Sequence, residues 1–248
     1  MGRTFAVSDV HGYLADLRNR LTDAGLVDAD DRWTGDDAHL WVLGDLVDRG
    51  PDGIGVIRFV RGLQQQAPEQ VHVLMGNHEA LMLGQKLFPD GHFAEVWFFN
   101  GGHQSDQDGL TDDDVAWLRT LPAMALVGDH LLMHSDTTDY LQWGSTVDEV
   151  NTTVAALLAG DDEQEHFDVF AGLTSRFDFA GGDGADVASL VRRVLGGERI
   201  VHGHSIIGTL VDVPSAAIDG PLLYADEQVL AIDGGRYDGG PLLLVELD

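Results

Sequence analysis

Short apolar runs recur along the chain, and most of them stop at Asp, Asn or His. Thr4-Phe-Ala-Val7 leads into Ser8-Asp9-Val10-His11, and His39-Leu-Trp-Val-Leu43 leads into Gly44-Asp45. Val71-His-Val-Leu-Met75 leads into Gly76-Asn77-His78. His130-Leu-Leu-Met133 leads into His134, and Arg199-Ile-Val201 leads into His202-Gly203-His204. Brief apolar or β-branched runs bounded by Gly and Asp predict buried strands. Gln228–Ile232 and Pro241–Leu247 add two more near the end.

Helical patterns fill the gaps. Leu14, Leu17 and Leu21 share a face within residues 13–26, and Gly25 supplies a stop. Pro51 opens a second pattern carrying Ile54, Ile57 and Leu63, and Glu79–Leu87 forms a third. Thr111-Asp-Asp-Asp114 is a helix start, a cap residue followed by negative charge at the positive end of the dipole. That helix carries Val115, Leu118 and Leu121 and ends at Pro122. Val147–Leu158 and Asp186–Leu195 complete the set. Strands alternating with helices predict an α/β fold. Residues 207–225 show no helical pattern, so part of the sheet is expected to be antiparallel. The Gly/Asp-rich stretch 180–185 reads as a loop inside one domain spanning residues 1–248.

Composition narrows the chemistry. The chain has 248 residues and no cysteine, which excludes disulfides, thiolate metal ligands and a thiol nucleophile. No apolar run approaches the ~18 residues a membrane span requires. The N-terminus lacks a signal-peptide pattern, so the expected location is cytoplasmic. Net charge is -28, from 42 Asp+Glu against 14 Lys+Arg. That charge repels nucleic acid and anionic membrane, and neither is an expected partner.

In open α/β sheets, ligands bind at the carboxyl ends of strands. Folding is therefore expected to gather Asp9, His11, Asp45, Asn77, His78, His134 and His204 on one rim. Singly, each reads as a turn, cap or packed polar residue. Together they form an oxygen and imidazole set without sulfur, suited to Mn, Fe, Zn or Mg.

Ser8-Asp-Val-His-Gly12, Gly44-Asp-Leu-Val-Asp-Arg-Gly50, Gly76-Asn-His-Glu79, His134-Ser135 and Gly203-His-Ser205 resemble the ordered motif set of calcineurin-like metallophosphoesterases. The second and third resemble the branch that holds serine/threonine phosphoprotein phosphatases and symmetrical dinucleoside tetraphosphatases. The tail from Ile232 to Gly240 is similar to that branch's closing strand pair. The resemblance implies two mixed β-sheets packed together with flanking helices, and a dinuclear metal site at the strand C-terminal ends. Asp9 and His11, two apart and on one side of an extended chain, are expected to hold one ion. Asp45 would bridge both ions, and Asn77, His134 and His204 would hold the second. The expected cofactors are two divalent metal ions, manganese first. A water or hydroxide between them would attack phosphorus in line.

The resemblance further implies His78 as general acid, Asp48 as its orienting carboxylate, and Arg49 as the fork that binds phosphoryl oxygens. Asn77, His78 and Arg49 are thus expected to touch substrate, with His202 a weaker candidate. Three positions depart from the family pattern. Ser8 replaces a glycine, Ala80 stands where a second phosphate-binding arginine is common, and Asp136 replaces a small glycine. Arg176 or Arg236 is a candidate to replace the missing cation. Phe93, Trp97, Phe98 and Phe99 fall in residues 88–120, the expected substrate-reading segment, and read as stacking or packing residues. The expected activity is hydrolysis of a phosphomonoester, in a phosphorylated small molecule or a serine/threonine phosphoprotein. The alternative is cleavage of dinucleoside polyphosphates.

Overall fold

The computed structural model describes residues 2–248. In chain order the strands are β1 (Thr4–Val7), β2 (His39–Val42), β3 (Val71–Val73), β4 (Met124–Val127), β5 (His130–Met133), β6 (Arg199–His202), β7 (Leu222–Tyr224), β8 (Val229–Ala231) and β9 (Leu244–Leu247). The helices are α1 (Leu14–Asp23), α2 (Gly53–Gln66), α3 (Asn77–Leu87), α4 (Phe93–Phe99), α5 (Gln104–Gly109), α6 (Asp112–Leu118), α7 (Val147–Ala159), α8 (Glu163–Thr174), α9 (Gly184–Leu195) and α10 (Ile207–Leu210).

The strands form two mixed sheets, ordered β3-β2-β1-β9 and β4-β5-β6-β8-β7. β1, β2 and β3 run parallel, as do β5, β6 and β8, while β9, β4 and β7 pair antiparallel at the edges. Side-chain alternation sets the layers. Ala6 and Leu43 of the first sheet meet Leu132, Val201 and Ile232 of the second in one buried layer between the sheets. Their neighbours Phe5, Val7, Leu40, Val42, Leu131, Met133 and Ile200 face outward into the larger core, built with the helices.

Six parallel strands consequently end on one edge, and each is followed by a chemistry-bearing residue: Asp9, Asp45, Asn77, His134, His204 and Asp233. Caps fix where several helices begin. The Asp52 carboxylate accepts from Gly55 N at 2.8 Å to start α2, and Asp162 accepts from Gln164 N at 2.8 Å to start α8.

Elements absent from the sequence reading are β4, β7, α4, α5, α8 and α10. β4 and β7 are short edge strands with incomplete burial, so their apolar pattern is weak. α8 begins with a run of acidic and amide residues that masks its buried face of Val169, Phe170 and Leu173. α10 is a single turn within the span read as helix-free.

Candidate metal centre

The loops after β1, β2 and β3 hold the first half of the site. The extended-chain expectation for Asp9 and His11 does not hold, because both sit in the left-handed region, at φ 54 and 44. Their side chains still converge, with Asp9 Oδ1 3.9 Å from His11 Nε2. Asp45, Asp48, Arg49 and His204 also have positive φ, between 56 and 65. Non-glycine residues rarely adopt this conformation, and such strain clusters at functional sites. Gly44, at φ 92, lies so close to Gly76 that a side chain on it would strike the Gly76 backbone. Two strand ends can therefore touch beneath the site.

Glu79 fastens these loops from below. Its buried carboxylate accepts from Asp45 N at 2.7 Å, Leu46 N at 2.7 Å and Gly76 N at 3.0 Å. Burial, followed by the charge of Asp45, still pushes it up to about 8.

Each histidine spends one ring nitrogen on a support. His11 Nδ1 donates to Val47 O at 2.8 Å, and His134 Nδ1 donates to Leu43 O at 2.8 Å. His204 Nε2 donates to Thr174 O at 2.9 Å. Each bond fixes a tautomer and leaves the other nitrogen with a lone pair, the arrangement a metal-binding imidazole needs. Two groups then converge, each with ligand atoms within 4.8 Å of one another: His11, Asp45 and His78, and Asp45, His134 and His204. Asp45 belongs to both. Asp9 faces the first group through His11, and its second oxygen accepts from His204 N at 2.8 Å. Asn77 presents its amide to Asp45, His134 Nε2 and His204 Nδ1. Turned one way its nitrogen donates to all three; turned the other way its oxygen joins them as a ligand.

The donor set fits divalent cations. Asp9, Asp45, Asp48, Glu79 and Asp233 are all buried around this centre, and Arg49 is the cation that packs among them. Burial, with Asp9 close by, pushes the Asp45 and Asp233 carboxyls well above the usual range. Burial likewise drives His11 and His204 well below theirs, which favours the neutral form that ligates; it also lowers His78, whose Nδ1 is paired with the Asp48 carboxylate. Neutral imidazoles with crowded carboxylates and no thiolate suit Mn, Fe, Zn or Mg.

His78 pairs with Asp48, Nδ1 to Oδ2 at 2.8 Å, both fully buried. Its Nε2 is buried without a partner among the described residues and lies 3.9 Å from Asp45 Oδ2. Arg49 reaches His11 Nε2 with Nη1 at 3.2 Å, and its guanidinium stacks over Tyr237 at 4.0 Å from the ring centre. His202 lies apart, because its Nδ1 meets Gly203 O at 2.8 Å and its Nε2 meets the Tyr224 hydroxyl at 2.8 Å. Neither ring nitrogen is left for a substrate. Arg236 is bound to Asp16 at 2.6 Å and stacks on Tyr13. Arg176 is exposed and makes no ion pair with a described residue, yet its charge is felt at His78, His134 and His204.

Asp233, Tyr237 and the Thr174 carbonyl have no role in the sequence analysis, and Trp97 appears there only as a stacking or packing aromatic. Asp233 had a signal: it ends an apolar run as the other site residues do. Thr174 and Trp97 sit in helices with no motif, and only tertiary packing brings them here.

These features define an α/β protein of paired sheets whose strand ends gather side chains able to hold two divalent ions. The chain belongs to the calcineurin-like phosphoesterase family, which residues 2–208 match. Members of that family use a dinuclear divalent metal site. The chain is 28% identical to a symmetrical bis(5'-nucleosyl)-tetraphosphatase of Methylococcus capsulatus, over 98% of this chain and 91% of that protein. It is 32% identical to the corresponding protein of Aromatoleum aromaticum over 53% of this chain, but the match spans only 43% of that relative's length. Shewanella-like protein phosphatase 2 of Arabidopsis thaliana is 34% identical over 32% of this chain and 21% of its own length. A cold-active protein-tyrosine phosphatase of a psychrophilic Shewanella shares the fold, with TM-score 0.75 at 23% identity, covering all of this chain and 76% of that one.

Proposed function

We propose that the protein is a dinuclear metal-dependent phosphatase acting on phosphomonoesters, with phosphoserine or phosphothreonine in proteins as the substrate class and manganese as the metal. The observation that carries the reading is Asp45, shared between two convergent ligand groups and flanked by Arg49 and His78. Two divalent ions, when bound, supply positive charge and an activated water at this edge. The chain's own groups do the rest. Asp9, His11, Asp45, Asn77, His134 and His204 are the holding set. Arg49, propped by Tyr237, offers a planar fork to the phosphoryl oxygens, where charge shifts in the transition state. Arg176 supplies a second cation from the opposite loop, taking the place left by Ala80.

His78, when protonated beside the Asp48 carboxylate, gives its Nε2 proton to the ester oxygen as the P–O bond breaks. The bond's electron pair stays on that oxygen, which departs as an alcohol. The water oxygen forms the new bond to phosphorus, and a proton from that water restores the His78–Asp48 pair.

A second reading, cleavage of a dinucleoside polyphosphate, is favoured by the nearly full-length similarity to the Methylococcus tetraphosphatase. Electrostatics favour the first. A polyphosphate chain needs a run of cations, while the chain has 14 Lys+Arg against 42 Asp+Glu, and its one lysine, Lys86, donates to Leu110 O. Rates with Mn on a phosphopeptide, p-nitrophenyl phosphate and diadenosine tetraphosphate, measured together, decide between them. The phosphopeptide is expected to give the highest kcat/KM, and preference for the dinucleotide overturns the first reading.

A further inference from the structure

The Asp48 carboxylate has two buried oxygens and two different partners. Oδ2 accepts from His78 Nδ1 at 2.8 Å, and Oδ1 accepts from the indole Nε1 of Trp97 at 3.0 Å. Asp48 has no exposed surface and Trp97 is 4% exposed, so no solvent stands in for either bond. A carboxylate held at both oxygens has a fixed plane. Held at one, it turns about its broad terminal torsion, and a buried oxygen loses its donor.

Trp97 comes from α4, outside every recognised motif, and α4 is firmly seated. Phe93 packs against Gly84 of α3 and lies edge-on to Phe167 and Phe170 of α8. Gly102 lies so close to the Trp97 ring that a side chain there would strike it. The chain leaving α4 also touches Arg49. Asn100 O accepts from Arg49 Nε at 3.4 Å, and Gly101 O accepts from Arg49 N at 2.8 Å.

We propose that Trp97 is a positioning residue for proton delivery: its indole N–H locks Asp48, and Asp48 aims Nε2 of His78 at the leaving oxygen. This rests on His78 being the general acid. α4 thereby ties the segment best placed to meet substrate to the step that releases the product alcohol.

Trp97→Phe tests it, because an aromatic ring stays in the pocket while the N–H is lost together with the indole's five-membered ring. Kinetics are measured across aryl phosphates from p-nitrophenyl to phenyl phosphate, for wild type, Trp97→Phe and His78→Ala. An acid matters more as the leaving group worsens. Trp97→Phe is expected to lose less than about 3-fold in kcat on p-nitrophenyl phosphate and about 10–100-fold on phenyl phosphate, with KM little changed, since a positioned acid contributes roughly 10²–10⁴-fold. His78→Ala should show the same trend, more steeply. In an Asp48→Asn background, Trp97→Phe should add less than about 2-fold, because residues acting as one unit are non-additive. Equal losses across the series for Trp97→Phe, beside a graded loss for His78→Ala, overturn the role of Trp97 alone. A flat His78→Ala series overturns the acid assignment and the proposal with it. Additive losses in the Asp48→Asn background show that Trp97 acts by another route and also overturn it.

Discussion

At the scale of single residues, the ring nitrogen a histidine does not show to the centre decides what the other can do. His11, His134 and His204 give a proton to a backbone carbonyl and keep a lone pair for an ion. His78 gives its Nδ1 proton to a carboxylate instead, and burial pushes the Asp48 carboxyl up to about 7, against the pull of the Trp97 N–H. That difference suits His78 to the proposed acid role and the other three to the proposed ligand role. Arg49 is equally specific. Its fork meets His11, and its plane lies on Tyr237, so a lysine cannot reproduce both contacts. Arg49→Lys is expected to lower kcat/KM by about tenfold or more with metal content unchanged, read by steady-state kinetics beside elemental analysis. Asp9, Asp45, His134 and His204 were legible in the sequence because each ends an apolar run. The supports were not, since a carbonyl such as that of Thr174 carries no identity in sequence, and Trp97 reads as one aromatic among several.

At the scale of elements, the strands and helices that carry a clear apolar face were legible, and short edge strands, single turns and α8, whose apolar face follows an acidic start, were not. α6 shows why capping carries information. Thr111 Oγ1 accepts from Asp114 N at 3.2 Å, and the Asp114 carboxylate accepts from Thr111 N at 3.1 Å, a closed box visible as Thr-x-x-Asp. Asp114 also accepts from Arg61 at 2.9 Å. Burial acts to raise its carboxyl, but the Thr111 bonds and the Arg61 and Arg58 charges outweigh that and hold it below the usual range. A lowered carboxyl stabilises the fold above its unfolded value, near 4, and that stabilisation disappears as pH falls through the folded value. Asp114→Ala is expected to cost about 1–2 kcal/mol at pH 7, measured by urea unfolding. The gap from wild type should close as pH drops below about 4. A gap unchanged at low pH contradicts the ionic account. α4 and α8, unread in the sequence, are the helices that bring Trp97 and Thr174 to the site.

At the scale of the molecule, the fold brings six parallel strand ends onto one edge of a chain whose net charge is -28. The surface repels polyanions in general. The centre is the exception, because two divalent ions would contribute about +4 and, with Arg49, offset its five buried carboxylates. No described helix is long and apolar enough to cross a membrane. The α/β class, the antiparallel additions and the rim of ligands all followed from alternating runs and their polar ends. The partition into two facing sheets came only through the family resemblance, because pairing depends on contacts between β1 and β9 or β6 and β8 that are distant in sequence.

The two ligand groups that meet at Asp45 predict a pair of ions sharing that carboxylate. Elemental analysis of protein reconstituted with Mn, wild type against Asp45→Asn, tests it most directly, with circular dichroism confirming that both are folded. Wild type is expected to retain about two ions per chain, and the variant, deprived of the shared carboxylate, at most about one. Folded wild type that retains no divalent metal, or an Asp45→Asn protein that keeps both ions, contradicts the account.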